Sequence, residues 1–270
     1  MEDLKHSGLP VCIDSTSNVI ALSALLKYDG FSRKTVKQMQ GLLADEAGLD
    51  PDEVVYDVYR GIAFPEDEEL LNKNDFRYDF TVIMPGLLNG ECKKTSGHYH
   101  GWNQGRTNTY PEVYEVIKGT ALYILQKSGN FDDKPENMVI DDLIFVTVEE
   151  GQSVIIPPNY GHCSVNIGEG PLVFSNLAYV PCPIHYDPVK YFHGMSYYVK
   201  KGNGQIKFEL NKKHVKVPEP RFASVRENPE LGIKFGLPVY QSYKQNPDAF
   251  RFLSEPDDYV DSIMQMLICK

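Results

Sequence analysis

The segment Gly97-His98-Tyr99-His100 places two histidines one residue apart. On an extended strand the side chains alternate between two faces, so His98 and His100 point to the same side. Two imidazoles side by side can bind one metal ion. Taken alone, the segment is also compatible with a pair of hydrogen-bonded histidines, so the metal hypothesis needs further ligands from elsewhere in the chain.

Two later segments supply such candidates. Glu112 lies at the start of an apolar stretch, Val113–Leu125, which predicts a strand. The segment Pro157-Pro158-Asn159-Tyr160-Gly161-His162 ends a strand, because proline donates no ladder hydrogen bond, and it could present His162 at a fixed angle. The competing interpretations are a solvated glutamate at a strand end and a simple turn with a surface histidine.

Short apolar segments punctuated by glycine and proline surround these residues. Their near-regular spacing predicts a mainly β sandwich or barrel and not alternating strands and helices. The chain has no GxGxxG or Walker A motif, so a nucleotide-binding fold has little support. The predicted strands are Asp52–Tyr59, Tyr78–Met84, Val113–Leu125, Asn137–Val148, Ser153–Ile156, Leu172–Val180, Ser196–Lys200 and Ile206–Leu210.

Helical segments are predicted on both sides of the strand series. Residues 33–47 predict a helix with Ser32 as its N-cap, and the acidic residues 65–71 predict an exposed loop or a short helix. The apolar face of the first helix consists of Val36, Met39 and Leu43. A terminal helix is predicted with Pro256 at its first position. Its apolar stripe, which predicts packing against the barrel with a dimer contact as the alternative, consists of Val260, Ile263, Met264 and Leu267.

The same pattern predicts one compact domain in three ranges. Residues 1–76 form an N-terminal segment that packs on the barrel, residues 77–217 form the barrel, and residues 218–270 form a C-terminal extension.

The composition argues against several classes of protein. With 27 basic and 37 acidic residues the net charge is −10, and no run of lysine or arginine indicates a nucleic-acid partner. No apolar stretch approaches the ~20 residues that span a bilayer, and the first residues lack the apolar run of a signal peptide. We therefore expect a cytoplasmic protein with no membrane partner. The five scattered cysteines form no C-x-x-C pair, which argues against a disulfide framework.

Four spaced elements occur in one order: G-H-x-H, Glu112-x6-Gly119, Gly151-x5-Pro157 and His162-x3-Asn166. This order resembles the two-motif signature of the cupin superfamily, whose members are double-stranded β-helix (jelly-roll) barrels with a metal in the mouth. The resemblance differs at two places, a longer gap spanning Trp102–Pro111 and Asn159 where a glycine is usual. The ligands that it implies are His98, His100, Glu112 and His162.

The resemblance implies one divalent transition metal per subunit. Three nitrogens and one carboxylate oxygen suit iron, manganese, zinc or nickel, and we expect iron. Four protein ligands on an octahedral ion leave two positions for water or substrate, which is typical of a catalytic site.

The flanking residues narrow the resemblance. The segments Val54–Tyr59, Thr81–Gly86, Thr95–His100, Glu112–Tyr114 and Pro157–Gly168 occur in the order found in the cupin-type phosphoglucose isomerase family of archaea and some bacteria. The resemblance covers about residues 30–210. It implies interconversion of glucose 6-phosphate and fructose 6-phosphate in glycolysis and gluconeogenesis, and a homodimer.

The resemblance also implies the sugar-phosphate contacts. The phosphate group would meet Tyr56, Thr81, Thr95 and the Gly97 backbone, with Tyr179 as a further contact. His185 falls six residues after Tyr179, where the family has a histidine that lines the sugar site. Two residues beyond it the family has a tyrosine, whereas this chain has Asp187 with Tyr186 beside it.

The chemistry of these residues fits an aldose–ketose isomerase. A metal would polarise the carbonyl, Glu112 is the candidate base, Tyr114 is expected to hydrogen-bond nearby, and His185 could shuttle the hydroxyl proton. Thr95 and His98 have opposite parity, so the phosphate site requires an irregular backbone at Gly97. The alternatives are another sugar-phosphate isomerase or epimerase, such as one for mannose 6-phosphate, a metal-dependent cupin oxygenase, and a non-enzymatic sugar-binding cupin.

Overall fold

The structure, a computed structural model, describes residues 1–270 and is mainly β. The strands are β1 (Glu2–Asp3), β2 (Val11–Ile13), β3 (Ile20–Leu22), β4 (Gly30–Thr35), β5 (Val54–Arg60), β6 (Phe76–Ile83), β7 (Leu87–Leu88), β8 (Glu91–Cys92), β9 (Tyr99–His100), β10 (Glu112–Lys118), β11 (Thr120–Lys127), β12 (Asp142–Glu149), β13 (Ser153–Ile156), β14 (Tyr160–Asn166), β15 (Leu172–Tyr179), β16 (Ile184–His185), β17 (Tyr197–Gly202), β18 (Gln205–Leu210), β19 (Arg221–Val225) and β20 (Leu267–Cys269).

The helices are few and short. The α-helices are α1 (Glu68–Lys73), α2 (Asp187–Tyr191), α3 (Val239–Gln245) and α4 (Val260–Met264). Single turns or short runs of 3-10 helix occur at Lys5–Ser7, Val36–Met39, Pro65–Asp67, Pro135–Asn137, Pro229–Leu231, Pro247–Leu253 and Asp257–Tyr259. No helix is both long enough and apolar enough to cross a bilayer.

Two main sheets form the predicted jelly-roll barrel. One has the strand order β13-β10-β15-β6-β5-β4 and is antiparallel throughout. The other has the order β14-β11-β12-β19-β20, in which only the β12–β19 pair is parallel. Side chains of both sheets meet in one buried core, where Val116 and Phe174 of the first sheet belong to the same cluster as Leu122 and Val165 of the second.

The six-stranded sheet is buried on both faces, which is why its strands have little polar alternation. A second core covers its outer face, and this core joins Tyr78 and Val113 of the sheet to the N-terminal strand β2 and to Tyr240 and Phe250 of the C-terminal extension. The sheets also draw on all three predicted ranges, because β4 and β5 precede residue 77 and β19 follows residue 217. The division into three ranges stays a prediction.

The predicted helix over residues 33–47 is wrong. Ser32 lies in β4, and only Val36–Met39 forms a single 3-10 helix, capped by Thr35 and Gln38. Gly41 and Gly48 have positive φ angles, and such a backbone interrupts a helix. The apolar side chains of Val36 and Met39 still reach the core, so the burial was predicted correctly but the helix was not.

Two strand predictions also differ from the structure. The predicted Val113–Leu125 strand is two strands, β10 and β11, because Gly119 has φ +90° and turns the chain. The double proline does follow the end of β13, as predicted, and the competing interpretation of a surface histidine does not hold: His162 is buried in β14, which pairs with β11 along its whole length. The predicted strand from Asn137 begins only at Asp142.

The predicted terminal helix is shorter than its apolar stripe. Pro256 precedes a 3-10 turn and is not the first residue of α4. The helix ends at Met264, and Leu267 lies in β20, whose partner is β19. Ile263 is buried in the second core, which agrees with the predicted packing on the barrel.

A buried carboxyl on the outer face of β10 makes the stability of the fold depend on pH. The Oε2 atom of Glu115 accepts a hydrogen bond of 3.0 Å from the backbone N–H of Val239, in the first turn of α3. Burial raises the pKa of Glu115 from 4.5 to about 8. The folded state holds this proton more tightly than the unfolded chain does. The contribution of Glu115 to stability is therefore fully present below pH 4.5 and is lost as pH rises toward 8.

Glu115→Gln keeps an oxygen acceptor for Val239 and cannot ionise. We expect the variant to gain stability over the natural chain as pH rises through this window, by up to about 1.4 kcal/mol per pH unit. Urea unfolding at several pH values measures the difference, and the exposed Glu219→Gln serves as the control. If the unfolding free energies of the natural chain and the Glu115 variant run parallel with pH, this account of Glu115 is wrong.

Candidate metal centre

A reciprocal pair of backbone hydrogen bonds brings two distant histidines together. The N–H of His98 donates to the carbonyl of His162 at 3.1 Å, and the N–H of His162 donates to the carbonyl of His98 at 2.9 Å. His100 follows in β9, and Glu112 is the first residue of β10. The chain thus delivers four side chains from three separate segments to one place.

The four donor atoms converge. The Nε2 atoms of His98 and His100 are 3.1 Å apart, and Glu112 Oε2 lies 3.3 Å from His100 Nε2 and 3.5 Å from His162 Nε2. All four donor atoms lie within 4.8 Å of one another, and three of the four residues are buried. The predicted ligands are therefore together in space, and the set of three nitrogens and one oxygen could hold a divalent metal.

The orientation of His100 supports this fit. Its Nδ1 lies 2.7 Å from the carbonyl oxygen of Tyr110, so Nδ1 carries the proton that this contact needs. In a neutral imidazole the Nε2 lone pair then faces the other donors. A backbone carbonyl that fixes the tautomer of a histidine in this way is a regular feature of metal sites.

The protonation states suit a cation. Burial lowers the pKa of His98 and of His162 below the ordinary value of histidine. Burial alone would raise the pKa of Glu112, but the close imidazoles of His100 and His162, which attract the carboxylate when they are protonated, outweigh it and hold that pKa well below 4.5. An ionised carboxylate beside neutral imidazoles is the state in which these side chains bind a metal.

Two further side chains fix the Glu112 carboxylate. The hydroxyl of Tyr114 donates to Oε2 at 2.9 Å, as expected for a residue on the same strand face. The Nδ2 atom of Asn176 donates to Oε1 at 2.7 Å. Sequence reasoning missed Asn176, although a single buried amide among the apolar residues of β15 was a signal that a polar partner lay opposite.

The Trp102–Pro111 insertion is held by the C-terminal extension. The carboxylate of Asp257 accepts hydrogen bonds from the side chains of Asn103, Thr107 and Asn108 at 2.8 to 2.9 Å. The same loop ends at Tyr110, whose carbonyl fixes His100. The extension therefore supports one candidate metal ligand through this loop.

A cavity of about 260 Å³ is lined by three of the four donor residues, His98, His100 and Glu112. The predicted phosphate contacts all line it, together with Tyr114; they are Tyr56, Thr81, Thr95, Gly97 and Tyr179. Gly97 has φ +76°, which breaks the strand alternation and lets Thr95 and His98 reach the same cavity. A Cβ atom at Gly97 would lie 3.0 Å from the sulfur of Met195, so the position has little room for a side chain.

The predicted role of His185 in lining the sugar site does not fit the structure. His185 is the register partner of Tyr99, so it shares the strand face that points away from His98 and His100. Its ring packs 5.3 Å from the ring of Phe131 and does not line the cavity. Tyr186, the next residue, does line it, with its ring 5.5 Å from that of His98.

A family model described as glucose-6-phosphate isomerase matches residues 33–216, which include all four donors. The chain belongs to this family. The match confirms the predicted resemblance, whose expected range was residues 30–210.

Curated glucose-6-phosphate isomerases show the same relationship. The enzyme of Pyrococcus furiosus is 30% identical over 182 residues, which cover 65% of this chain and 84% of the relative. That of Thermococcus litoralis is 29% identical over 196 residues, covering 71% of this chain and 87% of the relative. A solved oxalate oxidase overlaps 57% of this chain and 67% of its own at 17% identity with a TM-score of 0.35, too weak to bear on function.

The contact between Asn176 and Glu112 leads to a prediction. Asn176→Ala removes the donor that holds Oε1, so the carboxylate loses its fixed orientation. We expect the affinity for Fe²⁺ or Zn²⁺ to fall by about tenfold, as is usual when a residue that supports a ligand is lost. Competition with a chromogenic chelator measures the dissociation constant. The control is Asn72→Ala, at an exposed position of α1; equal metal affinities for the two variants would contradict the assigned role of Asn176.

Proposed function

We propose that this chain interconverts glucose 6-phosphate and fructose 6-phosphate with the help of one divalent metal held by His98, His100, Glu112 and His162. The observation that carries the proposal is the convergence of these four donors beside a cavity that also presents the Thr81 hydroxyl and the Gly97 N–H. Membership of the glucose-6-phosphate isomerase family supports it.

The phosphate would bind at the end of the cavity formed by Tyr56, Thr81, Thr95 and Gly97. The Thr81 hydroxyl and the Gly97 N–H make no hydrogen bond within the chain. The Thr95 oxygen accepts from the N–H of Ser164, and its own proton has only a long contact of 3.9 Å with the sulfur of Cys163, which a phosphate oxygen would replace. Such a site binds an anion with neutral donors, as suits a chain of net charge −10.

The four donors would hold the metal, for which iron is our first choice and manganese, zinc and nickel the alternatives. When bound there, a divalent ion supplies Lewis acidity toward the oxygens on C1 and C2 of the sugar.

Glu112 would move the carbon-bound proton. In the direction from glucose 6-phosphate it takes the proton from C2 and returns it to C1, while the hydroxyl proton passes from O2 to O1. The hydrogen bonds from Tyr114 and Asn176 keep its carboxylate oriented toward the cavity. Because His185 faces away, Tyr186 takes over the predicted place beside the sugar hydroxyls; burial raises its pKa, so it keeps its proton.

The dimer and the pathway are implied by the resemblance, and the cytoplasmic location is the expectation from the sequence. We propose a homodimer in the cytoplasm that serves glycolysis and gluconeogenesis. Light scattering of the purified protein tests the dimer, and an apparent mass of one chain would contradict it.

A coupled assay with fructose 6-phosphate tests the function directly. We expect turnover, its loss after chelation, and its return with Fe²⁺ or another of the metals named above. The same assay with mannose 6-phosphate tests the related isomerase, and oxygen uptake tests the oxygenase. Absence of turnover of fructose 6-phosphate with any metal would overturn the proposal.

Glu112→Gln tests the proposed base. With saturating metal we expect kcat to fall by about 100-fold or more, the usual contribution of a general base, and KM to change by less than about threefold. Steady-state kinetics separate the two constants. The control is Glu150→Gln, at an exposed position. If KM rises while kcat is unchanged, Glu112 acts only in binding.

The route of the proton gives a further prediction. A carboxylate that carries the proton exchanges it with solvent, so product formed in D₂O should carry deuterium on carbon. A hydride shift between C2 and C1 would leave the carbons free of solvent deuterium. Mass spectrometry of the product distinguishes the two routes, and a product without deuterium would exclude Glu112 as the base.

A further inference from the structure

Three charged side chains in the cavity have no role in the proposed isomerisation. Arg60 of β5 and Arg77 and Asp79 of β6 line the same cavity as the metal donors. Val58 and Thr81 are register partners, so the inward face of the two strands continues from them to Arg60 and Asp79. Nothing in the predicted site uses these residues.

The carboxylate of Asp79 is already occupied. It is buried and receives two hydrogen bonds of 2.9 Å from Arg77 and one of 2.8 Å from the N–H of Gly61. Arg60 approaches it with one nitrogen only, at 3.4 Å. One carboxylate therefore contacts two guanidinium groups, and the three side chains together carry one net positive charge.

Arg60 keeps most of its donors free. It makes no side-chain hydrogen bond besides the one to Asp79, and its side chain is 43% exposed. A second carboxylate, Asp29, lies close to Gly61 and forms no ion pair with either arginine. An arginine with unused donors in a cavity is suited to an oxyanion, because its planar fork matches carboxylate and phosphate geometry.

The arginines lie at the end of the cavity opposite the hydroxyl donors. Arg60 lies four positions after Tyr56 on β5, and Arg77 lies four positions before Thr81 on β6. Across the pair, Arg60 is two positions from Val58, the register partner of Thr81. Four steps along a strand cover about 13 Å, and the side chains at both ends reach into the gap. The cavity thus has a neutral anion site at one end and the two arginines at the other. Glu112 lies at the arginine end, because Asn176, which contacts Glu112, is the register partner of Asp79.

We propose that Arg60 and Arg77 form a second anion site, and that the cavity accepts sugar phosphates with an additional anionic group at the end remote from the first phosphate. A 1-phosphate or a C1 carboxylate has the required chemistry. Such a ligand would span the cavity and compete with the substrate. The inference rests on the proposed function to the extent that the first phosphate binds near Thr81.

Calorimetric titration of the metal-loaded protein tests the proposal without relying on turnover. The probes are fructose 6-phosphate and fructose 1,6-bisphosphate, which differ in one phosphate group. The variant is Arg60→Met, which leaves the pair between Arg77 and Asp79 in place. The control is Arg251→Met, which removes the same charge from an exposed pair with Glu255.

We expect the natural chain to bind the bisphosphate at least about tenfold more tightly than the monophosphate, as an added charge-assisted contact implies. Arg60→Met should reduce this preference by about tenfold, and Arg251→Met should leave it unchanged. Any of three results would overturn the second anion site. The first is equal affinity of the natural chain for the two probes, the second is an equal loss of affinity for both probes in Arg60→Met, and the third is the same effect in both variants. Binding of fructose 6-phosphate without isomerisation would instead count against the proposed function alone.

Discussion

The backbone pairing of His98 with His162 is the constraint on which the candidate site depends. The two hydrogen bonds join the segment before β9 to β14, and they place two imidazoles from distant parts of the chain within reach of one ion. Burying these rings beside the Glu112 carboxylate is costly unless their polar atoms find partners. A cation between the four donors would supply such a partner, which distinguishes the arrangement from a cluster of core histidines.

The candidate ligands were predictable because short-range rules govern them. Strand alternation aligns His98 with His100, and the resemblance to the cupin motifs adds Glu112 and His162. The position of His185 depends instead on its register with Tyr99, which sequence does not reveal. Residues 33–47 show a second limit of the sequence. Their apolar spacing is typical of a helix, but a single 3-10 turn is enough to bury Val36 and Met39.

The two ends of the cavity offer different kinds of donor to an anion. Hydroxyl and N–H groups around Thr81 and Gly97 suit a phosphate without adding charge, so they would not change the electrostatic potential at the candidate metal site. Arg60 and Arg77 share one buried carboxylate at the other end. Neither arginine belonged to a recognisable motif, and only the pairing of β5 with β6 shows that they face the metal donors.

Metal analysis combined with X-ray absorption spectroscopy of the purified protein tests the central claim most directly. The account predicts one equivalent of a divalent transition metal per chain, surrounded by nitrogen and oxygen atoms at about 2.0–2.2 Å. Protein that binds no metal after incubation with iron, manganese, zinc and nickel, or a spectrum with sulfur neighbours at about 2.3 Å, would contradict it.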